Sequence, residues 1–137
     1  MKYLLDTNVI SELRKSNGSV NVKSFIEKIP NSDLFISVIT IGEISRGINK
    51  MPNGKKKKEL AMWLETGLQR WFDERIIYIS TEIMIEWGKI CANSAYTFPI
   101  MDSLLAATAV SERLALVTRN VKDFKNIPNL VLLNPWD

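Results

Sequence analysis

Short continuous apolar runs alternate along this chain with stretches whose apolar residues recur every three or four positions. The runs are Tyr3–Leu5, Leu34–Ser37, Ile76–Ile79, Leu114–Thr118 and Leu130–Leu133. They are rich in Ile, Leu and Val, as strands covered on both faces are. Helical spacing places Val22, Phe25, Ile26 and Ile29 on one face. The same spacing groups Leu60, Trp63, Leu64, Leu68, Trp71 and Phe72, and again Ile83, Trp87, Ile90, Cys91 and Ser94. A further helix is expected from about Met101 to Arg113, behind Pro99. Asn17-Gly18-Ser19, Pro30-Asn31-Ser32, Met51-Pro52-Asn53-Gly54 and Asn126-Ile127-Pro128-Asn129 read as turns. Alternating strands and helices predict a three-layer α/β/α sandwich around a mainly parallel sheet, one domain over residues 1–137. Sites in such sheets form beyond the carboxyl ends of the strands, near a topological switch point.

Composition narrows the chemistry. The chain has 137 residues, 46% of them apolar or aromatic and 24% charged, an ordinary globular balance. No apolar run approaches the roughly 18 residues that span a bilayer, and the opening Met1-Lys2-Tyr3-Leu4-Leu5-Asp6 lacks the apolar core of a signal peptide. A cytoplasmic protein without membrane contact is the expectation. The single cysteine, Cys91, has no internal disulfide partner. The complete absence of histidine removes Ser-His-Asp hydrolysis, Cys-His proteolysis, HExxH zinc sites and imidazole-driven RNA cleavage. Hydrolysis here has to run on carboxylates with a hard metal ion. Net charge is +3, and the bases cluster at Lys50, Lys55–Lys58, Arg14, Lys15, Arg119, Lys122 and Lys125. Such clusters suit phosphates, although the four-lysine run by itself reads first as a solvated turn and helix end. The four tryptophans fit core or interface positions better than base-stacking platforms.

Four acids share an address in this pattern. Asp6 directly follows the first run, where an N-cap is expected. Glu43 closes Thr40-Ile41-Gly42-Glu43 after the second run, which reads as a capping box with Thr40 as the cap. Asp102 opens a helix, favoured there by the dipole. Asp123 lies just beyond the fourth run. Taken singly, each is an ordinary cap or turn former. Together they fall at one edge of a parallel sheet. Two carboxylates about 5 Å apart repel by roughly 3 kcal/mol at an effective dielectric near 20, so three or four need a cation. Mg²⁺ or Mn²⁺ suits an all-oxygen set, and such clusters hydrolyse phosphodiesters by activating water and neutralising charge. Thr7, Asn8, Ser103, Thr118 and Asn120 are candidate supporting polar groups, and Arg119 and Lys122 candidate contacts to an RNA backbone.

The segments carrying these residues resemble the PIN-domain ribonucleases, within them the VapC-type toxins of toxin–antitoxin pairs. The matching pieces are Leu4-Leu5-Asp6-Thr7-Asn8 and Ser37-Val38-Ile39-Thr40-Ile41-Gly42-Glu43, followed by the stretches Ile100 to Ala109 and Leu116 to Phe124. Singly these motifs are common; all four in order are specific. The resemblance implies a sheet of four or five strands, Mg²⁺- or Mn²⁺-dependent RNA cleavage, a cognate antitoxin, and homodimers joined into toxin–antitoxin hetero-oligomers. By position it implies Asp6 and Asp102 as principal metal ligands and Glu43 as the third acid. Many relatives carry an aspartate where this chain has Asn120; Asp123, three residues on, is then the expected fourth acid, with Asn120 as ligand or water-positioning group.

Other readings compete. A PIN fold that binds without cutting stays open, but no acid has been replaced at the first three positions. A phosphotransfer aspartate protein would want Asp-x-Asp or paired acids after the first strand, where the chain has Asp6-Thr7-Asn8. DNA instead of RNA as the target is open on chemistry alone, and the particular RNA is not legible.

Overall fold

The computed structural model describes residues 1–93 and 98–137. Five parallel strands form one sheet in the order β3-β2-β1-β4-β5. They are β1 (Tyr3–Leu5), β2 (Leu34–Ser37), β3 (Ile76–Ile77), β4 (Ala115–Val117) and β5 (Leu132–Leu133). Each falls inside an apolar run, and the last three are shorter than their runs.

β1 is the centre and the switch point. It pairs on one side with β2, Tyr3 against Leu34, and on the other with β4, Tyr3 against Ala115 and Leu5 against Val117. The ladder continues one residue further, the Asp6 amide donating to the Val117 carbonyl at 2.9 Å. Alternation along β1 divides two cores. Leu4 and Leu116 bury against Ile83, Leu105, Ala106 and Ala109. Leu5 and Val117 bury on the opposite face, with Val9, Ile10, Val22, Ile26, Leu68 and Phe72.

The first face is covered by helices α6 (Thr81–Ala92) and α7 (Ile100–Glu112). The second is covered by α1 (Thr7–Arg14), α2 (Val20–Glu27), α3 (Val38–Asn49), α4 (Lys55–Met62) and α5 (Gln69–Phe72). A short α8 (Val121–Phe124) follows β4. Serine caps set three starts: Ser19, Ser37 and Ser80 accept from the amides of Val22, Ile39 and Ile83. Among the described residues no helix is long and apolar enough to cross a membrane.

Two local expectations need correction. The cap of α3 is Ser37, not Thr40, because the helix begins directly at the end of β2; Thr40 is buried inside it and Glu43 is free to point elsewhere. The apolar stripe from Leu60 to Phe72 is not a regular α-helix, since Trp63–Leu68 is a π-helical segment between α4 and α5. There the Thr66 hydroxyl donates to the Met62 carbonyl and the Gln69 amide to the Leu64 carbonyl. These side-chain bonds compete with the regular backbone ladder. Pro30-Asn31-Ser32 leads into a 3-10 turn, Asn31–Asp33, in keeping with the turn expected there. Of the stripe beginning at Ile83, Ile83 and Ile90 are buried, and Ser94 lies outside the described residues.

Candidate functional site

Asp6 sits where the strand order reverses, and the residue is only 8% exposed. Oδ1 accepts from the Thr7 amide at 2.7 Å, which caps α1 as expected. Oδ2 accepts from the Thr118 hydroxyl at 2.8 Å and, more loosely, from Asn8 Nδ2 at 3.4 Å. Thr118 in turn accepts from the Asn120 amide at 3.1 Å and from Asn8 Nδ2 at 3.4 Å. Adjacent strand ends, β1 and β4, thus fix one carboxylate through a hydroxyl that is itself held.

Glu43, six residues beyond β2, is exposed and turns back toward β1: its Oε1 accepts from the Thr7 hydroxyl at 2.6 Å. The Thr40 hydroxyl lies 3.3 Å from that of Thr7. Asp102 occupies the first turn of α7, half-buried, and Asp123 the first turn of α8, exposed.

The acids act on one another. Burial pushes the Asp6 carboxyl above the usual carboxylate range, against the two strong hydrogen bonds, and the charges of Glu43 and Asp102 push the same way. Burial also raises Asp102, followed by the charges of Asp123 and Glu43. The ion pairs found among the described residues, Lys15–Glu12 and Lys55–Glu59, involve none of these four acids. The result is uncompensated negative charge at the carboxyl edge of the sheet. Among the described residues no three acids stand close enough together to hold one ion as they are. The donor set nevertheless fits a hard divalent cation, since it is oxygen alone and partly withdrawn from water.

A cleft of about 390 Å³ opens over this edge, and its lining includes Asp6, Thr7, Asn8, Glu43, Asp102 and Asn120. Ser11, Glu12, Lys15, Arg119 and Trp136 complete the lining. Of the expected supporting groups, Thr7, Asn8, Asn120 and Arg119 reach the cleft and Thr118 stands directly behind Asp6. Asp123 and Lys122 are not among the lining residues; Asp123 touches the site through its field on Asp102. Ser103 is engaged elsewhere. It is buried, accepts from Trp87 Nε1 at 2.9 Å and donates to the Ile100 carbonyl at 2.8 Å, clamping α6 to α7.

Sequence reasoning missed Glu12 and Trp136 and named Lys15 only among the clustered bases. Asn8 and Glu12 are spaced i, i+4 on α1, a face that helical periodicity reveals once the helix is drawn, and Lys15 is the C-cap that follows. Glu12 accepts from the Ser19 amide at 2.7 Å and pairs with Lys15 at 3.2 Å. The Ser19 bond, ahead of the pull of Lys15 and Arg119, holds its carboxyl below the usual glutamate range. Trp136 had no local signal and belongs to the cleft by tertiary placement, while also packing against the second core.

Residues 3–130 match the family described as PIN domain. The chain is 34% identical to ribonuclease VapC2 of Rickettsia felis, over 100% of this chain and 99% of that protein. Its fold superposes on FitAcB from Neisseria gonorrhoeae with a TM-score of 0.89 at 29% identity, covering 98% of each chain. It also superposes on a toxin–antitoxin complex from Klebsiella pneumoniae with a TM-score of 0.71 at 28% identity, covering 99% of each chain.

Proposed function

This chain belongs to the PIN-domain family, and on that footing we propose that it is a divalent-metal-dependent endoribonuclease of the VapC type, a toxin neutralised by a cognate antitoxin. The observation that carries the reading is the set of unpaired carboxylates around the buried Asp6, at the switch point of a parallel sheet. Similarity to a protein named as a ribonuclease and to the toxin–antitoxin complex supports the substrate and the partner.

Asp6 and Asp102 would hold the ion, with Glu43 and Asp123 completing the acidic set. Mg²⁺ or Mn²⁺ is the proposed ion, and when bound it supplies a Lewis acid for a phosphate oxygen and an activated water. The chain's own residues do the positioning. Thr118 and the Thr7 amide fix both oxygens of Asp6, so its orientation is set before substrate arrives. Thr7 holds Glu43, and Asn8 and Asn120 present polar groups to the cleft. Arg119 meets the RNA backbone in the cleft, with Lys122 outside it. An acidic cleft of this kind also accepts a basic side chain from an antitoxin. Exposed Met84, Ile85, Ile100 and Met101 on α6 and α7 offer apolar surface for a second copy and the hetero-oligomer built on it. Residues 1–137 act as one nuclease domain in this reading, working in the cytoplasm on cellular RNA.

The test is incubation of purified protein, freed of antitoxin, with total tRNA, ribosomal RNA and single-stranded DNA in Mg²⁺, Mn²⁺ or EDTA. Discrete RNA fragments that need metal and vanish in Asp6→Asn and Asp102→Asn are the expected result. A folded protein that neither cuts nor binds metal would overturn the reading.

A further inference from the structure

We infer that Trp136 positions Arg119 as a phosphate clamp in the same cleft as the acidic cluster, so that the pair binds the RNA strand at a phosphate flanking the one that is cut. The inference rests on the ribonuclease reading and adds a strand-docking subsite to it.

A cleft lined by Asp6, Glu43 and Asp102 repels a polyanion unless a cation within it offsets that charge. Two cations line the cleft, Lys15 and Arg119. Lys15 is committed, its ammonium 3.2 Å from Glu12 Oε1. Arg119 forms no ion pair among those found between described residues, and the Glu12 oxygens near it are already taken by Lys15 and the Ser19 amide. Instead its guanidinium carbon lies 5.3 Å from the centre of the Trp136 ring. Stacking on an aromatic face holds the planar fork in one orientation while leaving its N–H donors available. A planar, pre-oriented fork is what bidentate binding of a phosphate requires.

Both partners are anchored. The Arg119 amide donates to Asn8 Oδ1 at 3.4 Å, and Asn8 bonds Asp6, which ties the clamp to the carboxylate cluster through one side chain. The Trp136 carbonyl accepts from Asn21 Nδ2 at 3.0 Å, and its amide donates to Asn134 Oδ1 at 2.9 Å. The ring is half-buried against the core beneath α1 and α2. Truncating it frees the arginine to wander without removing any charge.

The experiment measures binding of a fluorescent single-stranded oligoribonucleotide of mixed sequence in an Asp102→Asn background, where the strand stays intact, as a function of salt. Cleavage kinetics are followed in parallel on the otherwise unaltered protein. Arg119→Gln is expected to weaken binding about tenfold and to lower the salt slope by about 0.7, the value for one phosphate contact on a single strand. Trp136→Ala should weaken binding similarly, Trp136→Phe should stay near the parent, and the double variant should lose no more than either single one. In cleavage the loss should fall on KM, with kcat within about twofold. Arg119→Lys should keep the salt slope and still bind weakly, because the fork is gone. Parent-like binding in Arg119→Gln or Trp136→Ala, additive losses, or no binding of the oligonucleotide by the parent overturns the clamp. The two readings fail separately: binding that follows this pattern without metal-dependent cleavage removes the nuclease and keeps the clamp, whereas cleavage with KM unchanged in both variants removes the clamp and keeps the nuclease.

Discussion

The Thr118 hydroxyl donates to Asp6 Oδ2 across 2.8 Å, joining two residues 112 positions apart that are both buried at adjacent strand ends. That bond favours the ionised carboxylate and opposes the burial that raises it. Thr118→Val keeps the shape and removes the donor. The Asp6 carboxyl then rises further, so the acid limb of the pH–rate profile should move to higher pH and activity at pH 6 should fall more than at pH 8. Thr118→Ser should return the profile toward the parent. A valine variant with an unshifted acid limb would show that the hydroxyl does not tune Asp6.

Asp6→Asn should stabilise the metal-free protein while abolishing cleavage. The folded-state carboxyl of Asp6 is raised by burial and by Glu43 and Asp102. A carboxyl with a raised folded value makes folding less favourable once pH exceeds its unfolded value, and the deficit is complete above the folded value. Near neutral pH, Asp6 therefore costs stability when no cation is bound. Asparagine is an equally good helix cap and carries no charge. Melting in EDTA should show a higher midpoint, each kcal/mol relieved being worth roughly 3 °C in a chain of this size. Added Mg²⁺ should raise the midpoint of the parent and do little for the variant.

Much of this site was legible because strand ends and helix starts are local facts. Asp6 and Asp102 stand at element boundaries that apolar periodicity locates, and β1, β2 and β4 are adjacent, which brings their following residues to one edge. Less legible was anything set by side chains meeting across elements. Glu43 is turned to Thr7 rather than to its own helix start, which depends on Ser37 having taken the cap. Ser103 looked like a neighbour of Asp102 and is held instead by the Trp87 indole, a contact no spacing rule encodes. The π-helical segment escaped for a similar reason: the stripe of Leu64, Leu68 and Phe72 keeps its i, i+4 spacing while the backbone ladder beneath it changes.

Asp123 and Asn120, the two candidates for a fourth ligand, meet the cleft differently. Asp123 is the strongest charge acting on Asp102, whereas Asn120 lines the cleft. Divalent-ion affinity depends on summed ligand charge. Asp123→Asn should therefore weaken ion binding by about tenfold in calorimetry and shift cleavage to higher metal concentration, with near-parent rates at saturation. Asn120→Ala should leave ion affinity close to the parent and change the rate instead. Exchange of these two outcomes would assign the fourth ligand to Asn120.

Glu12 ties the end of α1 to the start of α2, and the loop between them has no slack. Its carboxylate takes the Ser19 amide at 2.7 Å, and Ser19 is the residue that caps α2. Beneath it, a Cβ built on Gly18 would lie 2.4 Å from the Glu12 backbone oxygen, a contact that forces the backbone to move. Gly18→Ala should cost about 1–3 kcal/mol in denaturant unfolding. Glu12→Ala should release the Ser19 amide, seen as faster hydrogen exchange there and as protease nicking within residues 15–19. Glu12→Gln keeps an acceptor and should retain most of the protection. Acid should act like the alanine variant. The Glu12 carboxyl is held below its ordinary value in the folded state, so its contribution is complete above the unfolded value and disappears as pH falls through the lowered folded one. Ser19 protection should accordingly persist at neutral pH and fade in that acid window in the parent, while remaining insensitive to it in Glu12→Gln. Fading in both proteins alike would assign the acid sensitivity to another carboxylate, and the loop would then be held by its backbone alone.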